Sequence, residues 1–222
     1  MRPRNSQGKP FIPLGQLLDQ SPLVRLHADL QQFRLADYQA DRLEASVPRM
    51  LPYIRGLYFS AGLIYAIRKI IPSSQVQANW GHVLRAGSMT CSPECDVILH
   101  SQCHSRWNGY HERPVMDFAF VSPTNTLAVI SCKSFVRWPS DVDSEYAKDL
   151  KRHKVKRVWL FAECCPPRSS DRIAARAKAA GYEHFFHLYT MDAKTGAAKP
   201  SEESWRAFVS AVRRLNRTTG KK

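Results

Sequence analysis

Two short runs of strand-forming residues, Glu94-Cys-Asp-Val-Ile-Leu-His100 and Leu127-Ala-Val-Ile-Ser-Cys-Lys133, constrain this chain most. The first carries Asp96 among apolar and β-branched neighbours, and the second ends in Ser131-Cys132-Lys133. Side chains alternate along a strand, so Ser131 and Lys133 share one face and Ile130 and Cys132 the other. If the two strands are neighbours, Asp96 and Lys133 converge at one end of a sheet. Core packing alone does not select a carboxylate beside a lysine on an otherwise apolar sheet.

At 222 residues the chain is long enough to bury a substantial core, and 44% hydrophobic with 23% charged residues is the balance of a folded soluble protein. The net charge is +14, from 33 Lys+Arg against 19 Asp+Glu, and it is spread along the chain. Such an excess attracts polyanions, with nucleic acid the expected partner. Six unevenly spaced cysteines, two inside the strand runs, read as reduced intracellular thiols rather than a disulfide framework. The N-terminus has no apolar signal region. Leu57 to Ile71 contains Arg68 and Lys69 and is too short to span a bilayer comfortably. The expectation is a cytoplasmic protein without a membrane partner.

In chain order, residues 1–13 read as an irregular arm with three prolines, and a helix is expected from Ser21 with Pro22 in its first turn. A second helix begins near Pro48 and Pro52, continues through Leu57–Ile71 and stops before Pro72. Gln75–Leu84 and the Asp96 run read as strands, and 101–114 as a loop. Val115–Val121 and the Lys133 run follow as further strands. A helix over Ser144–His153, a strand over Val155–Glu163 and an alanine-rich helix ending at Gly181 come next. Strand His184–Tyr189 precedes a last amphipathic helix from Ser201 through Trp205, Phe208, Val212 and Leu215. This is an α/β layout, a mixed sheet flanked by helices. It divides into a 1–56 arm with helical extension and a 57–222 α/β domain.

With this element order, Ser92-Pro-Glu-Cys-Asp-Val-Ile-Leu and Pro123-Thr-Asn-Thr-Leu-Ala-Val-Ile-Ser-Cys-Lys-Ser134 resemble the PD-(D/E)XK nuclease superfamily, over roughly residues 57–165. The resemblance implies a restriction-endonuclease-like central mixed sheet, with extra N-terminal helices and a C-terminal helix here. It also implies magnesium-dependent hydrolysis of DNA phosphodiester bonds, in restriction or defence, with manganese able to replace magnesium. Asp96 would be a metal ligand together with the main-chain carbonyl of Cys132, and Lys133 would bind the scissile phosphate or orient the attacking water. Double-stranded DNA would be the substrate, and cutting both strands would call for a homodimer.

Ser131 departs from the pattern, for the family's second acid belongs there. Three arrangements follow. The acid comes from the next helix, with Glu145, twelve residues beyond Lys133, best placed for catalysis and metal binding, ahead of Asp141, Asp143 and Asp149. Or Glu94, two residues from Asp96, joins it. Or the domain is inactive and serves as a nucleic-acid-binding or assembly module. Asp117 is a rival to Asp96 for the first acid.

Other patterns carry less. Cys91, Cys95, Cys103 and His104 have a spacing that fits no common zinc module. The run Lys148–Arg157 is the densest positive stretch, and Lys148, Lys151, Arg152 and Lys154 are its candidate phosphate contacts. Trp107, Asn108 and Tyr110 are placed to enter a groove or stack on a base.

Overall fold

The computed structural model describes residues 51–71, 76–85, 90–103, 105–107, 118–191 and 198–219. The expected helix after Ser21 lies outside them, as do His104, Asn108, Tyr110 and Asp117. Helix α1 spans Leu51–Ile70, with Pro52 in its first turn, where a missing N–H costs nothing. Eight strands follow: β1 Gln77–Val83, β2 Cys95–His100, β3 Ser105–Trp107, β4 Phe118–Val121, β5 Thr126–Phe135, β6 Val158–Cys165, β7 His184–Met191 and β8 Ala198–Pro200. Helices α2 (Ser144–Arg152), α3 (Ser170–Ala179) and α4 (Glu202–Thr219) complete the set.

The strands form one sheet in the order β3-β4-β1-β2-β5-β6-β7-β8. It is mixed. Strands β1, β2 and β5 pair antiparallel in turn, while β5, β6 and β7 are parallel and are joined by α2 and α3. This is the α/β architecture expected from the sequence. Every residue of β6 is buried, as a strand covered on both faces requires. Two short strands escaped the sequence reading. Ser105–Trp107 falls within the expected loop, and Ala198–Pro200 ends in a proline that only a sheet edge tolerates. Both lie at opposite edges of the sheet.

The core has two layers. On one face α1 and α4 bury Phe59, Leu63, Ile67, Trp205, Phe208 and Val212 against Val97, Ile130, Trp159 and Phe161. On the other, α2 and α3 bury Ala147, Leu150, Ile173 and Ala177 against Ile98, Val129, Val158 and Leu160. Among the described residues no helix is long and apolar enough to cross a membrane.

Two turns show how local chemistry fixes the helix ends. After α3, Gly181 adopts a φ of +101°, with Gly181 N–H to Lys178 and Tyr182 N–H to Ala177. After α2 the same pattern recurs, Lys154 N–H to Lys151 and Val155 N–H to Leu150, but a lysine at φ +65° occupies the left-handed position. Glycine is the usual residue there.

Candidate active site

Strand β2 delivers Asp96 and β5 delivers Ser131, Cys132 and Lys133. The strands are antiparallel neighbours, with Val97 opposite Ile130. One step further, where Asp96 stands level with Ser131, the ladder changes character. The Cys132 N–H donates to Asp96 Oδ2 at 2.7 Å, so a side chain takes the place of a strand partner. That bond fixes the direction of the carboxylate. Burial pushes the Asp96 carboxyl up to about 6, against the lowering effects of the Cys132 N–H and the Lys133 charge, and Glu94 adds a small upward push. Asp96 and Lys133 therefore do come together, as the alternation predicted.

The partners of Ser131 explain the departure from acid to hydroxyl. Ser131 is buried and lies near Tyr182, whose hydroxyl donates to the Asp143 carbonyl at 2.8 Å. Asp143 in turn caps α2 by accepting the Tyr146 N–H at 3.0 Å. Ser131 thus stands beside the Tyr182–Asp143–Tyr146 bonds that seat α2. A longer acidic side chain there would have to displace Tyr182. Tyr146 donates its hydroxyl to the Glu94 carbonyl at 3.0 Å and so ties α2 to the start of β2. Burial raises the Tyr146 and Tyr182 hydroxyls well above their usual range, so both stay protonated donors. Sequence reasoning missed both tyrosines. Each was one apolar residue among many until its hydroxyl was seen to reach a distant strand.

The candidate replacement acids separate clearly. Glu145 is on α2, but the helix turns Ala147 and Leu150 inward and leaves Glu145 in solvent. It is paired with Lys148 at 2.7 Å, which holds its carboxyl below the usual range. The charges acting on Asp96 are those of Lys133 and Glu94, and those acting on Glu145 are Lys148, Arg152 and Asp143. The structure does not bring Glu145 to Asp96. Asp141 accepts the Arg137 and Trp138 N–H groups at 2.7 and 2.9 Å, Asp143 serves as the helix cap, and Asp149 pairs with Arg152 at 3.5 Å. Only Glu94 among the candidates acts on Asp96. It accepts the Trp80 indole N–H at 2.8 Å.

Among the described residues no three His, Cys, Asp or Glu side chains group closely enough to enclose a metal. Cys95 is buried beside Ser92 and Cys91 is exposed. What exists is a single oriented carboxylate, with Glu94 near it and the Cys132 main chain alongside. That donor set is all oxygen, and it suits a hard cation that keeps most of its shell in water and substrate phosphate, as magnesium does. Of the predicted phosphate contacts, Lys148 and Arg152 are engaged by acids on their own helix, and Lys151 Nζ donates to the Lys156 carbonyl at 2.7 Å. Lys154 is exposed at its left-handed turn.

No protein-family model matches this chain, and no curated protein does. Solved structures do. The cAAA-bound form of P. aeruginosa ATCC27853 NucC superposes with a TM-score of 0.52 at 13% identity, covering 86% of this chain and 89% of that one. This chain shares its fold with NucC. The cAAA-bound form of E. coli MS115-1 NucC gives the same TM-score at 10% identity, again over 86% of this chain and 89% of the other. At such identities the likeness is one of architecture.

Proposed function

We propose that this protein is a nuclease-fold enzyme that hydrolyses nucleic-acid phosphodiester bonds at the Asp96–Lys133 pair, with DNA in a defence role as the substrate class. The observation that carries this reading is the Asp96 carboxylate fixed by the Cys132 N–H next to a lysine at the end of adjacent strands. Magnesium would be held by Asp96, the Cys132 carbonyl and Glu94, and it would supply charge neutralisation at the phosphate. Lys133 would bind a phosphate oxygen. A carboxyl raised to about 6 is mostly charged at neutral pH, which keeps Asp96 available as a hard ligand. The net charge of +14 draws the polyanion in. The cAAA bound in both NucC structures makes cAAA a sensible compound to add to the assay.

The test is cleavage of plasmid by the full chain with magnesium, compared with Asp96→Asn and Lys133→Ala. Both substitutions should abolish cutting. Cleavage that survives both would overturn the site.

A second reading, a catalytically silent nucleic-acid-binding domain, is favoured by Ser131 and by the outward-facing Glu145. It predicts binding without cutting, with affinity falling linearly in log salt.

A further inference from the structure

The predicted basic run on α2 is largely engaged by its own neighbours, which raises the question of where a polyanion would lie. In α/β sheets, ligands sit beyond the carboxyl ends of the strands. The carboxyl ends of parallel β5 and β6 are level, with Phe135 opposite Cys164. Two features meet at that edge. The first is Trp138, 56% exposed, the one exposed large hydrophobic side chain among the described residues. It stands just past β5 on a turn that is held rigid, because Asp141 accepts both the Arg137 and Trp138 N–H groups. Beside it, the Arg137 guanidinium lies 5.5 Å from the centre of the Phe135 ring.

The second feature follows β6. Arg168 lies in the 3-10 turn Pro167–Ser169, and Arg172 and Arg176, four residues apart, share one face of α3 from its first turn to its last. All three are exposed, and none has an ion-pair partner among the described residues. Helix α3 packs against the short 3-10 turn Pro139–Asp141 that follows Trp138, so the elements that carry the tryptophan and the arginines are neighbours. An aromatic face flanked by a row of cations is how proteins hold a single nucleic-acid strand, with bases stacked and phosphates neutralised. Trp138 follows Lys133 by five residues. At about 3.3 Å per residue that is a span of at most roughly 17 Å, or up to about five nucleotide steps of 3.4 Å.

We propose that Trp138, Arg168 and the α3 arginines Arg172 and Arg176 form a track that carries one single strand of nucleic acid away from the Asp96–Lys133 pair, with Trp138 stacking on a base. This rests on the nucleic-acid reading given above. It adds a substrate feature, an unpaired segment at the edge of the site.

The experiment is fluorescence anisotropy of a labelled 20-nucleotide single strand and of its duplex with the full chain, across a salt series and without divalent ions. The variants are Trp138→Ala, Trp138→Phe and the triple reversal Arg168→Glu/Arg172→Glu/Arg176→Glu. Trp138→Ala should weaken single-strand binding about 5- to 150-fold, the range for losing one stacked base, and Trp138→Phe should restore most of it. The triple reversal should lower the salt slope by about 2, three phosphate contacts at about 0.7 each. Duplex binding should fall less than single-strand binding. Unchanged single-strand affinity and slope in both Trp138→Ala and the triple variant would overturn the track and leave the nuclease reading standing. Absence of nucleic-acid binding by the wild-type chain at low salt would overturn both. If Trp138→Ala only dissociates an oligomer, the tryptophan is a contact between copies of this chain and the track fails.

Discussion

Asp96 Oδ2 accepts the main-chain N–H of Cys132 at 2.7 Å, a side chain standing in for a strand partner at the point where β2 and β5 part. Pairing at that place aims one carboxylate oxygen at a main-chain donor and leaves the other for a ligand. Burial then makes the charge costly to hold, which is why the carboxyl titrates near 6 rather than near its ordinary 3.8.

Asp96 therefore opposes stability at neutral pH. Its folded value lies above its unfolded one, so the folded state binds more protons between about pH 4 and 6 and loses stability as pH rises through that window. Asp96→Asn keeps an acceptor for the Cys132 N–H and removes the charge. It should raise stability by about 2–3 kcal/mol at pH 8 and by little at pH 4. Thermal melts of both proteins across this range check it. Parallel curves would show that Asp96 is not desolvated.

Magnesium should relieve the same cost. Millimolar magnesium is expected to raise the melting temperature of the wild type at pH 7.5 and not that of Asp96→Asn. Glu94→Gln should reduce the shift, while Glu145→Gln should leave both the shift and cleavage within roughly two-fold, since that acid sits in solvent with Lys148. Loss of the shift in Glu145→Gln alone would reinstate the helix acid.

Lys154 and Gly181 occupy equivalent left-handed positions after α2 and α3. Lys154→Gly should stabilise the fold by about 0.5–1 kcal/mol, the relief of a side chain at positive φ less the added freedom of the unfolded chain. Gly181→Ala should destabilise it by about 1 kcal/mol or more. Denaturant midpoints read both.

Gly81 lies at the bulge in β1 with φ +151°, and a Cβ there would collide with the Ala119 carbonyl oxygen of β4. Gly81→Ala should cost about 1–3 kcal/mol and loosen the β1–β4 edge. Amide exchange localised to β4 is the measurement, and a wild-type melting profile would refute the contact.

The strands and helices that a sequence reader could place are those with a strong period. The buried run of β6, the 20-residue α1 and the amphipathic α4 met their expectations because alternation and helical spacing are local properties. Edge strands β3 and β8 were invisible, three residues each and held only by one neighbour. The site divided in the same way. Asp96 and Lys133 stood out because each is a charge inside an apolar strand. Glu145 misled because position in sequence says that an acid follows the motif, whereas the phase of α2 turns it outward.

By itself, the sequence determined an α/β chain with a carboxylate on one apolar strand and a lysine at the end of another, an excess of basic residues and a missing acid at Ser131. These follow from side-chain chemistry and the two backbone periods, which act over a few residues. Only the tertiary structure decided what fills the space at Ser131. Tyr182, 51 residues later in the chain, stands near its hydroxyl and donates to the Asp143 carbonyl at the start of α2. No local rule can anticipate that contact, because it is made by packing two elements that meet only when the whole sheet is assembled.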